Sequence, residues 1–140
     1  METTKITIGN IIDLPIEKVW ELWTNPKHII NWNFASEDWH TPSAENDLIV
    51  GGKFSSRMEA KDGSFGFDFC GIYDEVEEFK KIAYTLGDER KVEILFEGNG
   101  NSTQITEIFD AENENSIEMQ QIGWQTILNN FKSYAEKSFI

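Results

Sequence analysis

The chain has 140 residues and is 39% apolar and 13% aromatic, with five Trp and ten Phe. This content excludes a disordered chain, because it is large enough to form a core. The formal net charge is −13 and is spread along the sequence, which disfavours nucleic acids and anionic membranes as partners. We therefore expect a single domain over residues 1–140.

The single cysteine, Cys70, cannot form an internal disulfide and fits a reducing compartment. With no His or basic residue beside it, we predict that it is a buried structural thiol. No apolar run approaches the ~18 residues of a membrane span, and the N-terminus lacks the pattern of a secretion signal. We expect a cytoplasmic protein that does not associate with membranes.

The first quarter of the chain predicts one strand and two short helices. Residues 5–12 alternate loosely between apolar and polar, as in a strand. Pro15 suits the first position of a helix over residues 16–24, whose apolar side chains recur on one face. A second start signal at Pro26 predicts another short helix over residues 27–32.

Residues 33–52 are polar and irregular, and we expect only brief pairing with the sheet near Trp39 or Leu48. A row of antiparallel strands follows, because short apolar–polar alternations are separated by turn signals such as Asp62-Gly63. The predicted strands are 53–61, 65–76, 82–86, 92–96 and 102–111.

Residues 116–140 predict a long amphipathic helix, because apolar side chains recur in steps of three and four. Asn115 and Ser116 are equally good N-caps. A helix of about 24 residues is roughly 35 Å long, so its apolar face needs a large cover. The strands before it supply that cover as a curved antiparallel sheet.

Several segments, taken in their order and spacing, indicate a known family. They are residues 15–20, 32–34, 46–48, 51–54, 62–68, 106–109 and 123–124, with Leu128. The chain resembles the START-like or SRPBCC superfamily (birch-pollen-allergen-like), and within it the homologues of the activator of heat-shock protein 90 ATPase (AHSA-like). The resemblance implies an α+β helix-grip fold. In that fold a curved antiparallel sheet of about six or seven strands wraps around a long C-terminal helix, and two short helices follow strand 1.

The resemblance also implies an apolar cavity between the C-terminal helix and the sheet, for a hydrophobic small molecule of lipid, polyketide or aromatic type. Members of the superfamily include ligand carriers and cyclases. Two alternatives therefore stay open: a polyketide-cyclase-like enzyme in the same cavity, and a chaperone-linked protein-interaction domain or homodimer. Fold alone does not decide between them.

Two residues are candidates for acid–base chemistry, neither of them firm. Glu107 shares a strand face with Ile105 and Phe109. If that face is concave, the carboxyl group enters the cavity, where desolvation raises its pKa; if it is convex, Glu107 is solvated. His40 lies in the irregular stretch, either at the cavity mouth as a base or on the surface.

The aromatic content exceeds what a minimal core needs, which favours a pocket with some aromatic walls over a solid core. The residues predicted to bind a ligand are Trp32, Phe34, Trp39, Met58, Phe65, Phe67, Phe69, Tyr84, Glu107, Met119, Trp124 and Leu128. The sequence has no His pair or Cys/His cluster, so we expect no metal. It also lacks a Gly-rich phosphate loop in its strand–helix context, so we expect no cofactor.

Overall fold

The computed structural model of the chain describes residues 4–138. Within that range, seven strands and three helices follow one another as β1 (Lys5–Ile12), α1 (Ile16–Thr24), α2 (Pro26–Ile29), β2 (Trp39–Asn46), β3 (Lys53–Ala60), β4 (Gly66–Glu77), β5 (Lys81–Leu86), β6 (Lys91–Asn99), β7 (Ser102–Asp110) and α3 (Ile117–Ser138).

All seven strands form one antiparallel sheet in the order β1-β7-β6-β5-β4-β3-β2. Strands β2 to β7 follow one another as a meander, and β1 pairs with β7 at the far edge. A meander of this length twists and curls, and α3 lies along its concave side against β1. The expected α+β helix-grip fold is confirmed.

The core lies between the sheet and the helices. Alternation along β6 and β7 directs Ile94, Ile105 and Phe109 to the concave face, where each is almost fully buried. From α3, Leu128 and Phe131 meet them with no exposed surface. The spacing of three residues between these two helix positions gives α3 its apolar face.

Side chains of α3 also cover the free edge of β1. Gln125 Nε2 donates to the Gly9 carbonyl oxygen at 3.1 Å, and Lys132 Nζ donates to the Ile11 carbonyl oxygen at 2.7 Å. These carbonyl groups lie on the side of β1 that has no neighbouring strand. The helix therefore satisfies edge acceptors in addition to covering the core.

Strand β2 is longer than the sequence predicted. It pairs with β3 along Trp39–Asn46, with a register shift between His40 and Ser43 that brackets Pro42. Residues 39–46 contain a proline and are mostly polar, so they lack the apolar–polar alternation by which a strand is predicted. Both features are compatible with a strand at the edge of a sheet. Helix α2 is shorter than predicted: it ends at Ile29, and a turn continues to Trp32.

Two further details differ from or refine the predictions. The prediction of a buried thiol is wrong, because Cys70 is exposed. Ser116 caps α3, since its Oγ accepts a hydrogen bond from the backbone N–H of Met119 at 3.1 Å. The last predicted helical residues, 139–140, lie outside the described part of the chain. No helix of residues 4–138 has the length and apolarity needed to cross a bilayer.

Candidate functional site

A cavity of about 330 Å³ lies between the sheet and the helices. Its walls come from every strand except β1 and from all three helices or the turns beside them. The apolar and aromatic lining residues are Trp23, Ile29, Trp32, Phe54, Met58, Phe67, Phe69, Tyr73, Ile82, Tyr84, Ile94, Trp124 and Ile127. Cavities of this size and character are typical of small-molecule sites.

Seven of the predicted ligand-binding residues lie in the cavity wall. They are Trp32, Met58, Phe67, Phe69, Tyr84, Glu107 and Trp124. They come from five different elements and from the turn after α2. They are therefore distant in sequence and become neighbours only in the folded chain. Each of the strand residues among them occupies the concave face of the curled sheet.

The other predicted residues lie elsewhere. Leu128 is fully buried in the core, and Met119 is 63% exposed on the first turn of α3. Trp39 and Phe65 contact each other outside the cavity, with ring centroids 6.0 Å apart. Phe34 is partly buried, and its carbonyl oxygen accepts a hydrogen bond from Asn130.

His40 also lies away from the cavity. It is a β2 residue opposite Glu59 on β3, and its Nε2 is 3.9 Å from a Glu59 carboxylate oxygen. Glu59 alternates along β3 with Met58, which lines the cavity, so this pair lies on the convex face of the sheet. The structure therefore places His40 among surface charges and leaves Glu107 as the acid–base candidate inside the cavity.

Some lining residues were not predicted. Phe54 and Ser56 belong to the wall, and their alternation with Met58 on β3 was a usable signal. Ring contacts join Phe54 to Tyr84 at 4.6 Å between centroids. A glycine permits this packing: a Cβ on Gly71 would lie 2.9 Å from the Phe54 ring and 2.7 Å from the Thr85 carbonyl oxygen.

Glu107 is the most unusual residue of the cavity. Its side chain is directed to the concave face, and the residue is only 6% exposed. Its neighbours across the sheet are Ile8 on β1 and Ile94 on β6. Within residues 4–138 no hydrogen bond or ion pair reaches its carboxyl group. Burial alone raises the pKa of Glu107 to about 8, so the group is mostly protonated at neutral pH.

Two buried tyrosines accompany Glu107. Tyr73 Oη donates to Asn46 Oδ1, and Asn46 Nδ2 donates to the Thr24 carbonyl oxygen at 2.6 Å. This chain of bonds joins β4, β2 and the end of α1. Burial, and then the nearby charge of Glu107, raise the pKa of Tyr84 well above its ordinary value. Tyr84 therefore stays protonated at physiological pH.

Trp124 forms the helical side of the cavity. Its ring stacks on Phe109 with centroids 3.9 Å apart and planes 11° apart, and it meets the edge of Phe69 at 6.2 Å. Such contacts hold a large side chain in one orientation. The wall that α3 presents to a ligand therefore consists of a fixed indole ring and the side chain of Ile127.

The remaining charged lining residues are Glu45, Glu112 and Arg90. Arg90 Nε is 2.6 Å from an Asp88 carboxylate oxygen, so its charge is already paired. Among the residues described, no three His, Cys, Asp or Glu side chains gather as metal ligands would. The cavity thus has apolar walls, the inward carboxyl group of Glu107, and two further acidic residues, Glu45 and Glu112, in its lining.

Proteins of known structure match this chain over almost its whole length. The sequence profile of the family described as activator of Hsp90 ATPase homolog 1-like protein matches residues 13–136. The chain belongs to this family. The resemblance to AHSA-like proteins of the START-like superfamily is thereby confirmed.

Several solved structures share the fold of this chain closely. An AHSA1-like protein from Aeromonas hydrophila, solved by NMR, is 44% identical, with a TM-score of 0.90 over 96% of this chain and 94% of its own. A protein from Cytophaga hutchinsonii is 52% identical, with a TM-score of 0.83 over 96% of this chain and 93% of its own. A Nitrosomonas europaea protein is 17% identical, with a TM-score of 0.78 over 96% of this chain and 95% of its own, and shares the fold. No curated protein matches the chain.

Proposed function

We propose that this protein binds a hydrophobic small molecule, of lipid, polyketide or aromatic type, in the cavity between α3 and the sheet. The observation that carries the proposal is the cavity itself. Its volume of about 330 Å³ falls within the range of about 300–1,000 Å³ found for small-molecule sites. Eight of its 21 lining residues are aromatic, and aromatic surfaces bind flat apolar groups well.

The tryptophans provide a direct test of binding. Trp23, Trp32 and Trp124 line the cavity, whereas Trp39 lies outside it. We expect a neutral probe, 2-(1-naphthyl)ethanol, to shift the indole N–H signals of the three cavity tryptophans in ¹H–¹⁵N spectra. The signal of Trp39, which contacts the lining residue Phe67 from outside the cavity, should shift much less. Mass spectrometry of a solvent extract of the purified protein is the second measurement. Unshifted cavity signals together with an empty extract would contradict the proposal.

Neighbouring serines on β3 offer a matched pair of variants. Ser56 is 5% exposed and lines the cavity, whereas Ser55 is directed to the opposite face of the strand. Ser56→Phe fills the cavity and should abolish the shifts, while Ser55→Phe should retain them. If Ser56→Phe does not fold, Ser56→Leu makes the same test with a smaller side chain.

Glu107 supports a second candidate, a polyketide-cyclase-like enzyme in the same cavity. An acid with a pKa of about 8 is suited to proton transfer at neutral pH. If the protein has this activity, turnover of a linear aromatic polyketide analogue should fall by at least about 100-fold in Glu107→Gln. Unchanged turnover in that variant would remove Glu107 from the chemistry.

A further inference from the structure

The charges around the cavity restrict what can enter it. Three of its lining residues are acidic: Glu45, Glu107 and Glu112. Of the lining residues described, Arg90 alone is basic, and Asp88 already pairs with it. A ligand with a carboxylate or phosphate would find no unpaired cation in this part of the chain. It would also meet the field of a protein with a net charge of −13.

One polar group inside the cavity, the Glu107 carboxyl, is placed to receive a hydrogen-bond donor from a ligand. The Glu107 carboxyl group has no partner within residues 4–138, although the residue is only 6% exposed. The Tyr73 hydroxyl is occupied, since it donates to Asn46. Buried polar groups are nearly always hydrogen-bonded. Among the described residues no fully buried side-chain oxygen or nitrogen lacks a partner, so the unpaired Glu107 carboxyl group keeps some surface open to the cavity, where a ligand can supply the partner.

We propose that the ligand is an amine, a molecule with an aromatic or otherwise apolar body and one basic nitrogen, whose ammonium group binds the Glu107 carboxylate. This inference rests on the proposed function, because it assigns the ligand class of the same cavity. The apolar body then lies against Phe69 and Trp124.

Three physical reasons favour an amine over an alcohol or an acid. An ammonium group donates up to three hydrogen bonds and forms a charge-assisted bond with a carboxylate, which is about twice as strong as a neutral one. The face of Trp124 that does not stack on Phe109 attracts a cation. A ligand carboxylate would instead bring a negative charge into a largely apolar cavity in which no described lining residue offers an unpaired cation, and burial of an unpaired charge is strongly unfavourable.

Proton balance gives the proposal a distinctive signature. Below pH 8 the empty cavity holds Glu107 as a carboxylic acid, since burial raises its pKa to about 8. Binding of R–NH₃⁺ converts the acid to a carboxylate and releases one proton to solvent. The affinity for the amine should therefore rise about tenfold per pH unit from pH 6 towards pH 8 and then level off. The other titratable groups that line the cavity are Tyr73, Tyr84, Glu45, Glu112 and Arg90.

The experiment compares three probes that share the naphthyl ring system: 2-(1-naphthyl)ethylamine, 2-(1-naphthyl)ethanol and 1-naphthylacetic acid. Dissociation constants come from titrations that follow the indole N–H signals of the three cavity tryptophans. We expect the amine to bind at least about tenfold more tightly than the acid at pH 7.5. In Glu107→Gln the amine should lose at least about tenfold in affinity, whereas the alcohol should change little.

The outcomes separate this inference from the function on which it rests. If none of the three probes shifts the cavity signals, the amine assignment fails, and the proposed function fails with it when the solvent extract of the protein is empty as well. If the alcohol or the acid binds as tightly as the amine, cavity binding stands and the amine assignment is overturned. An amine affinity that is unchanged in Glu107→Gln, or that is flat between pH 6 and 8, overturns it as well.

Discussion

Replacing Glu107 by Gln should stabilise the protein, and the gain should grow with pH. The pKa of Glu107 rises from 4.5 to about 8 on folding because the side chain is desolvated. Below pH 4.5 the group is protonated in both the folded and the unfolded state, so burial of its charge costs nothing. Between the two pKa values the unfolded state loses its proton first. The free energy of unfolding therefore falls by about 1.4 kcal/mol per pH unit and levels off above pH 8.

The magnitude follows from the same two pKa values. At pH 7 the loss is roughly 3 kcal/mol, and above pH 8 it is roughly 5 kcal/mol. Glu107→Gln keeps the shape of the side chain and removes the ionisation. We expect the difference in unfolding free energy between variant and wild type to be near zero at pH 4.5 and to rise to these values.

Urea denaturation at intervals from pH 5 to pH 9 measures that difference, because titrations common to both proteins cancel. Glu97→Gln is the control: it makes the same chemical change at an exposed position of β6, and we expect it to alter stability by less than about 0.5 kcal/mol at every pH. A difference for Glu107→Gln that does not vary with pH would refute the reasoning, since it would mean that Glu107 is ionised and solvated in the folded state.

Two further predictions concern the packing around the cavity. Phe131 has no exposed surface and meets the rings of two tryptophans. Phe131→Ala should lower the free energy of unfolding by about 3–5 kcal/mol. The control Ile122→Ala lies on the same helix at a position 59% exposed and should lower it by less than about 0.5 kcal/mol. Similar urea midpoints for the two variants would contradict the assigned core. Tyr73→Phe removes the hydroxyl that donates to Asn46 and should lower the free energy of unfolding by about 1–2 kcal/mol. Tyr84→Phe, the control, should change it little. Equal effects of the two variants in thermal denaturation would count against the Tyr73–Asn46 hydrogen bond.

The periodicity of apolar residues predicted those strands and helices that have one face buried in the core. The strand predicted over residues 5–12 and the long helix match β1 and α3 because their apolar side chains recur at the strand and helix periods. Strand β2 has no such pattern. It exists because β3 offers it a row of hydrogen-bonding partners, and a single-sequence pattern does not contain that information.

The candidate site was only partly predictable for a related reason. Alternation placed Glu107 with Ile105 and Phe109, but it did not show which face of β7 is concave. The pairing of β7 with β1 and β6, together with the position of α3, determines that direction. Trp39 and Phe65 illustrate the converse: both are aromatic, but Trp39 begins β2 and Phe65 precedes β4, and the two rings pack against each other away from the cavity.

The two edges of the sheet have a consequence for how this acidic protein behaves at high concentration. An exposed strand edge invites a strand of another molecule, and growth by that route produces fibrils. Here Gln125 and Lys132 occupy carbonyl groups along the outer side of β1. At the opposite edge Pro42 lacks an N–H group and lies within a bulge. Neither edge therefore offers the continuous row of free N–H and C=O groups that a strand of another molecule needs for pairing. The sheet can stay open at both edges without promoting fibril formation.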